Sequence, residues 1–226
     1  MTTSHPAAEL LETLFKTAPH HLYLEIRPIP NGFLSRDRRF FRLRQLQRHG
    51  FDQAIPAELG GRSNVYFGVC LRRQRGGTAS DAAIAICLWA DLDQGLPTPW
   101  PTEVPEPSIV VETSPGKAQA YWLLSHAAEH LDKVEELDRR LVHVLGGDMA
   151  ATNRARVLRL PGFRNLKYPE QPIARLVEMH PEQHYTLEAF ASLPPLAKAR
   201  LPQGSTGSSA HPRRFDPHAG GAGVPQ

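Results

Sequence analysis

The run Ile84-Ala-Ile-Cys-Leu-Trp-Ala90 constrains this chain most. It is apolar throughout, rich in strand formers, and long enough for a buried central strand. It ends in Asp91-Leu-Asp93. Residues i and i+2 of a strand point to the same face, so the two carboxylates project side by side from a buried strand end. Two like charges that close repel unless a cation, protons or an arginine offsets them. Mg²⁺ or Mn²⁺ is the usual partner for paired oxygen ligands that face a phosphate substrate. The alternative is a strand running into a turn, where Asp is common in its own right.

The flanking sequence supplies mixed elements. Residues 6–17 read as a helix, with Leu10, Leu11, Leu14 and Phe15 on one face and Pro6 in the first turn. His21–Arg27 alternates as a strand, 38–48 reads as a short helix, and Val65–Leu71 reads as a strand. Breaks fall at Pro56, Gly60-Gly61 and Gly76-Gly77. Past a proline-rich crossing, Ser108–Thr113 and Gln119–Leu124 form a hairpin around Ser114-Pro-Gly-Lys117. Residues 129–145 carry Leu131, Val134, Leu137, Leu141 and Val144 at helical spacing, and Gly146-Gly147 stops the helix. Val157–Leu160 and Ile173–Glu178 read as strands, and Tyr185–Leu193 as a closing helix with Thr186 as N-cap. The class is α+β. One ordered module is expected over 1–197. Residues 198–226, rich in Gly and Pro, read as a disordered tail or linker.

Several function classes fall away. No window approaches 18 uninterrupted apolar residues, so no transmembrane helix and no membrane partner are expected. The N-terminus lacks the basic and apolar blocks of a signal peptide. The two cysteines, Cys70 and Cys87, sit inside apolar runs. That excludes a disulfide scaffold and a cysteine zinc site, and it fits a reducing cytoplasm. Net charge is only +3, but its distribution is uneven. Arginines cluster at Arg36–Arg48, Arg72–Arg75 and Arg154–Arg164. Acidic residues gather at Asp91 and Asp93, at 103–112 and at 129–138. Segregated basic patches fit a phosphate-bearing partner, and equally a solvated surface.

Asp148 follows the Gly146-Gly147 break and reads either as a further metal ligand or as an N-cap. Behind it, Arg154, Arg156 and Arg159 stand ready for triphosphate or template phosphates if the segment passes under the carboxylates. In the hairpin, Gln119, Tyr121 and Leu123 share one face. The Ser114–Lys117 turn can approach a phosphate through its backbone N–H groups, or serve only as a turn.

In this order, these residues resemble the archaeo-eukaryotic primase superfamily, most closely the RepB-type primases and primase-polymerases of plasmids and mobile elements. Leu88–Asp93 is similar to the strand ending in an acidic pair. Thr113–Gln119 resembles the turn leading into a strand with His or, in some plasmid members, Gln. Gly147-Asp148 resembles the single acidic motif, and Arg156–Lys167 the arginine-rich stretch that follows. Asn64–Val69 also looks familial. The resemblance spans about residues 20–180. It implies an RRM-like antiparallel sheet module packed with an N-terminal αβ module. It implies Asp91, Asp93 and Asp148 as catalytic ligands of two divalent ions, Mg²⁺ or Mn²⁺. Ser114, Lys117, Gln119, Arg156, Arg159 and Lys167 are then the candidates for nucleotide and phosphate contacts. Gln119 can donate a hydrogen bond but carries no charge. No Cys/His cluster suits the zinc stem of many relatives, and no Walker A sequence is present.

The expected activity is template-directed nucleotidyl transfer, making or extending primers on single-stranded DNA from nucleoside triphosphates, beside a separate helicase or initiator. The alternatives are a primase-like module that binds single-stranded DNA or an origin without catalysis, and a two-metal nuclease. A rolling-circle nickase is disfavoured, because the chain lacks a His-hydrophobic-His motif with a nearby Tyr.

Overall fold

The computed structural model describes residues 5–30, 37–55 and 61–196. The chain divides into Met1–Leu196 and Ala197–Gln226, and every described residue belongs to the first. Arg36, Pro56, Gly60 and the tail expected at 198–226 lie outside the described residues.

In chain order the elements are α1 (Pro6–Phe15), β1 (Tyr23–Pro30), β2 (Arg39–Arg42), α2 (Leu43–His49), β3 (Ser63–Gly68), β4 (Leu71–Arg72) and β5 (Ala82–Leu92). There follow β6 (Ile109–Ser114), β7 (Lys117–Ala128), α3 (Leu131–Leu145), β8 (Val157–Arg159), β9 (Arg175–Met179) and β10 (His184–Tyr185). The described strands form one ten-stranded sheet in the order β8-β3-β1-β4-β5-β7-β6-β9, with β2 on β1 and β10 on β7. Only the β10–β7 pairing is parallel. This mixed architecture, a large antiparallel sheet with few helices, is the α+β class expected.

Local chemistry sets the helices. Pro6 opens α1, His5 Nδ1 accepts from the Ala7 N–H at 3.2 Å, and Leu10, Leu11, Leu14 and Phe15 are buried. In α3, Leu131, Val134, Leu137, Leu141 and Leu145 face the sheet, and Gly146 closes the helix at φ +70°. Each such buried leucine contributes roughly 1.5–3 kcal/mol relative to exposure.

Two expectations shift. Residues 39–42 form β2 rather than helix, because Phe40 and Phe41 pair across β1 with Glu25 and Leu24. The closing helix reduces to a 3₁₀ turn at Leu187–Phe190, and Tyr185 instead joins β10 against Leu124. Thr186 stands at the N-cap position of that turn, but its side chain makes no capping bond.

One topological feature positions everything below. β3 and β4 continue one another along β1, the register passing from Phe67 opposite Ile26 to Arg72 opposite Tyr23. Their other side is shared: β8 pairs with β3, and β5 with β4. The end of β5 therefore diverges from β8, and residues near Asp91 face residues near Arg156 across the split.

Candidate active site

Beyond its pairing with β4, β5 keeps one unpaired edge, and buried backbone groups there need partners. The Trp89 N–H donates to Asp138 Oδ1 of α3 at 3.0 Å. The Asp91 carbonyl accepts the Asp148 N–H at 2.8 Å. That second bond ties the third acidic residue directly to the first. It needs the glycines: Gly146 takes the left-handed turn, and a Cβ on Gly147 would stand 2.7 Å from the Asp91 carbonyl oxygen. The Trp89 indole N–H fixes the following turn by donating to the Ala151 carbonyl at 2.8 Å.

The strand register then assembles the rest. Asp91 lies opposite Gln119, and Gln119 lies opposite Val111. Leu92 pairs with Ala118, so Asp93, one residue past β5, meets Lys117 Nζ at 2.7 Å. A cavity of about 190 Å³ opens here, and Asp91, Asp93, Lys117, Gln119, Arg156, Arg159 and Lys167 all line it. Most of the expected site residues are thus brought together. Ser114 is buried and is not part of the lining of this cavity.

Asp148 is the N-cap of the turn that follows, and its other oxygen faces an arginine. Its Oδ1 accepts from the Ala150 N–H at 2.8 Å as a cap, and its Oδ2 accepts from Arg156 at 3.4 Å. The same Arg156 nitrogen lies 3.3 Å from Asp91 Oδ2.

The arginines divide sharply. Arg154, expected among the phosphate candidates, turns away and is held by Asp132 and by Glu135 Oε1, the latter at 2.9 Å from Nε. Arg159 is 5% exposed, and its side-chain hydrogen bonds among the described residues go to neutral groups. It donates to Asn64 Oδ1 and to the Tyr66 hydroxyl, both at 2.8 Å, and lies 4.8 Å over the Tyr66 ring. Burial pushes its pKa down. Gln119 is buried, and its amide oxygen accepts the Tyr121 hydroxyl at 3.1 Å. The amide NH₂ is the group left for the cavity.

Tyr66, Asn165 and Tyr168 also line the cavity and were not singled out as site residues. They lie in the segments Asn64–Val69 and Arg156–Lys167, or just past the latter. Position in those segments was the only available signal, since a lone Tyr or Asn has no spacing to detect.

The electrostatics follow from geometry. Burial raises the Asp91 pKa, and Arg156 opposes that rise. The hydrogen bond from Lys117 lowers the pKa of Asp93. Among the described residues no group of three His, Cys, Asp or Glu stands ready to cage an ion. The donor chemistry nonetheless fits a hard divalent cation, because Asp91, Asp93 and Asp148 offer oxygen alone. Their charge is compensated by side-chain cations, closely at Asp93 through Lys117 and loosely at Asp91 and Asp148. Arg156 reaches both carboxylates through one nitrogen at long distance, and its Nε is buried without a partner.

Residues 101–195 match the RepB DNA-primase N-terminal domain family. The fold is similar to the primase-polymerase domain of cyanophage S-2L, of the archaeo-eukaryotic primase type, with TM-score 0.60 and 17% identity over 84% of this chain and 97% of that one. It is similar to the catalytic domain of primase RepB′ in complex with initiator DNA, with TM-score 0.56 and 18% identity over 83% of this chain and 92% of that one. A second RepB′ structure aligns with TM-score 0.56 and 18% identity, over 83% of this chain and 60% of that one. No curated protein matches the chain.

Proposed function

We propose that this chain, whose residues 101–195 match the RepB DNA-primase N-terminal domain family, is a metal-dependent nucleotidyltransferase making or extending primers on single-stranded DNA. Its setting would be cytoplasmic replication of a plasmid or mobile element, beside a separate helicase or initiator. The catalytic module is residues 1–197, with 198–226 as tail or linker. The observation that carries the reading is the convergence of Asp91, Asp93, Lys117, Gln119, Arg156, Arg159 and Lys167 in one cavity, with Asp148 held beside it by Arg156 and by the Asp91 carbonyl.

Asp91, Asp93 and Asp148 are the residues that would hold Mg²⁺ or Mn²⁺. Such ions lower the pKa of an attacking hydroxyl and stabilise a pyrophosphate leaving group. The protein's own part is charge and position. Arg156 and Lys117 now neutralise the carboxylates, and both line the cavity that a triphosphate would enter. When the carboxylates take up other positive charge, both side chains become free for phosphate oxygens in the same cavity. Arg159, held by the neutral side chains of Asn64 and Tyr66, adds a fixed positive charge in a partly dry setting. Gln119 offers two N–H donors to a phosphate or sugar oxygen.

The test is incorporation of labelled ribo- or deoxynucleotides on single-stranded DNA with Mg²⁺ or Mn²⁺. Template-dependent product is expected from the wild type and not from Asp91→Ala. DNA binding with no product under either metal would favour the non-catalytic module. Loss of labelled template without nucleotides would favour the nuclease.

A further inference from the structure

Asn64 lies buried on β3, opposite Ile29 of β1. Its side-chain oxygen accepts two bonds at once. Arg159 Nη1 donates to it at 2.8 Å, and the Leu166 backbone N–H at 2.9 Å. Two donors converge on one atom, so that atom is the amide oxygen, and both of its lone pairs are used. On the primase reading, we propose that Asn64 is a positioning residue: as a neutral acceptor it fixes Arg159 and the Lys167 segment together, while leaving the guanidinium charge to an incoming triphosphate.

Position is the first argument. Leu166 precedes Lys167, which lines the carboxylate cavity together with Arg159. From the other side, Asn165 Nδ2 donates to the Thr113 carbonyl of β6 at 3.1 Å, and its Oδ1 accepts from the Lys167 N–H at 3.3 Å. The segment that carries Lys167 is thereby tied to β3 by Asn64 and to β6 by Asn165. One oxygen of Asn64 sets where both the guanidinium and this segment stand relative to the carboxylates.

Charge is the second. Arg72 is held by Glu25 at 2.9 Å, with Asp81 acting on it as well. Arg154 is held by Glu135 at 2.9 Å. A guanidinium paired in that way has its charge cancelled locally. Arg159 is bonded instead to two neutral oxygens, Asn64 Oδ1 and the Tyr66 hydroxyl, each at 2.8 Å. Asp91, across the same cavity, acts on it through space. Asp91 is itself engaged by Arg156 at 3.3 Å, and it is one of the residues that would hold a divalent ion. An aspartate at position 64 could accept the same two bonds with the same shape. It would differ by cancelling the charge that a phosphate needs.

The test is steady-state extension of a primed single-stranded template with dATP and Mn²⁺, beside thermal unfolding of each protein. Asn64→Asp is expected to raise the dATP KM about 5–20-fold while kcat falls by less than about threefold. Its Tm should stay within about 5 °C of the wild type, because both hydrogen bonds persist. A role confined to folding would move Tm and leave KM alone. In an Arg159→Gln background the same substitution should change KM by less than about twofold, because its effect runs through the guanidinium. If Asn64→Asp fails to fold, Tyr66→Phe takes its place, since it keeps the ring and removes the other neutral acceptor. It should raise KM about 3-fold, and not at all in the Arg159→Gln background. A wild-type KM in the variant, or equal losses in both backgrounds, overturns the inference while the primase reading stands. If the wild type extends no primer with Mn²⁺ or Mg²⁺, that reading fails and the inference with it.

Discussion

Two acidic clusters in this molecule meet arginine in opposite ways. At Glu25, both the carboxylate and its partner Arg72 are fully buried, 2.9 Å apart, and Arg72 spends its remaining donors on the 154–155 backbone. At Asp91 and Asp148, one Arg156 nitrogen is shared at 3.3 and 3.4 Å, each partner is about a third exposed, and the Arg156 Nε is left bare. Burying a charge is tolerated only where every group is paired. The first cluster meets that condition and holds the fold. The second does not, and it lies in a cavity open to ligands. The difference separates charge that supports structure from charge available for exchange.

The comparison breaks first if the closed cluster proves dispensable. Arg72→Met strips Glu25 of its buried partner, and such a loss costs about 3–5 kcal/mol. Thermal unfolding should show Tm lower by about 6–20 °C for a domain of this size. An unchanged Tm would mean the network carries no stability.

Gly147→Ala probes the joint between β5 and Asp148. The new Cβ would press on the Asp91 carbonyl oxygen and on Leu92 Cδ2, at 2.7 and 2.9 Å. Backbone cannot yield cheaply there, so a loss of about 1–3 kcal/mol is expected by denaturant titration. Primer synthesis should fall with it, because Asp148 is pushed off Asp91.

Asp138 gives a pH test of intermediate size. Burial raises its pKa well above the ordinary value, and its Oδ2 has no partner. The folded state therefore binds this proton more tightly than the unfolded chain does. Stability is lost as pH rises from about 4 toward the raised pKa. Asp138→Asn keeps an oxygen for the Trp89 N–H and cannot ionise. Its Tm advantage over the wild type should grow with pH in that window, and a constant difference would contradict the assignment.

The smallest stability effect belongs to the open cluster. Asp148→Asn keeps the capping function, since Asn and Asp cap about equally well. It removes only a long ion pair whose partners are each about a third exposed, so the change should stay within about 1 kcal/mol.

The apolar run ending at Asp91, the hairpin that carries Lys117 and Gln119, and the helix closed by Gly146 were legible because each has a period or a punctuating residue. The acidic and basic residues that gather at the cavity were legible by type and order. What stayed hidden depends on distant pairing. β2 forms because Phe40 and Phe41 meet β1, which no local pattern around 38–48 reveals. Arg154 and Arg156 are alike in sequence, and only the position of Asp132 and Glu135 on α3 separates anchor from site residue. Tyr66 reaches the cavity because β3 lies beside β8, where it pairs with Arg159.

The central claim is that Asp91, Asp93 and Asp148 form a site whose present cations give way to a divalent ion. The most direct measurement is a Mn²⁺ titration followed by electron paramagnetic resonance, on the wild type and on Asp148→Asn. The account predicts saturable binding by the wild type and at least about 10-fold weaker binding by the variant, at nearly unchanged Tm. Equal Mn²⁺ binding by the two proteins, or none by the wild type, would contradict it.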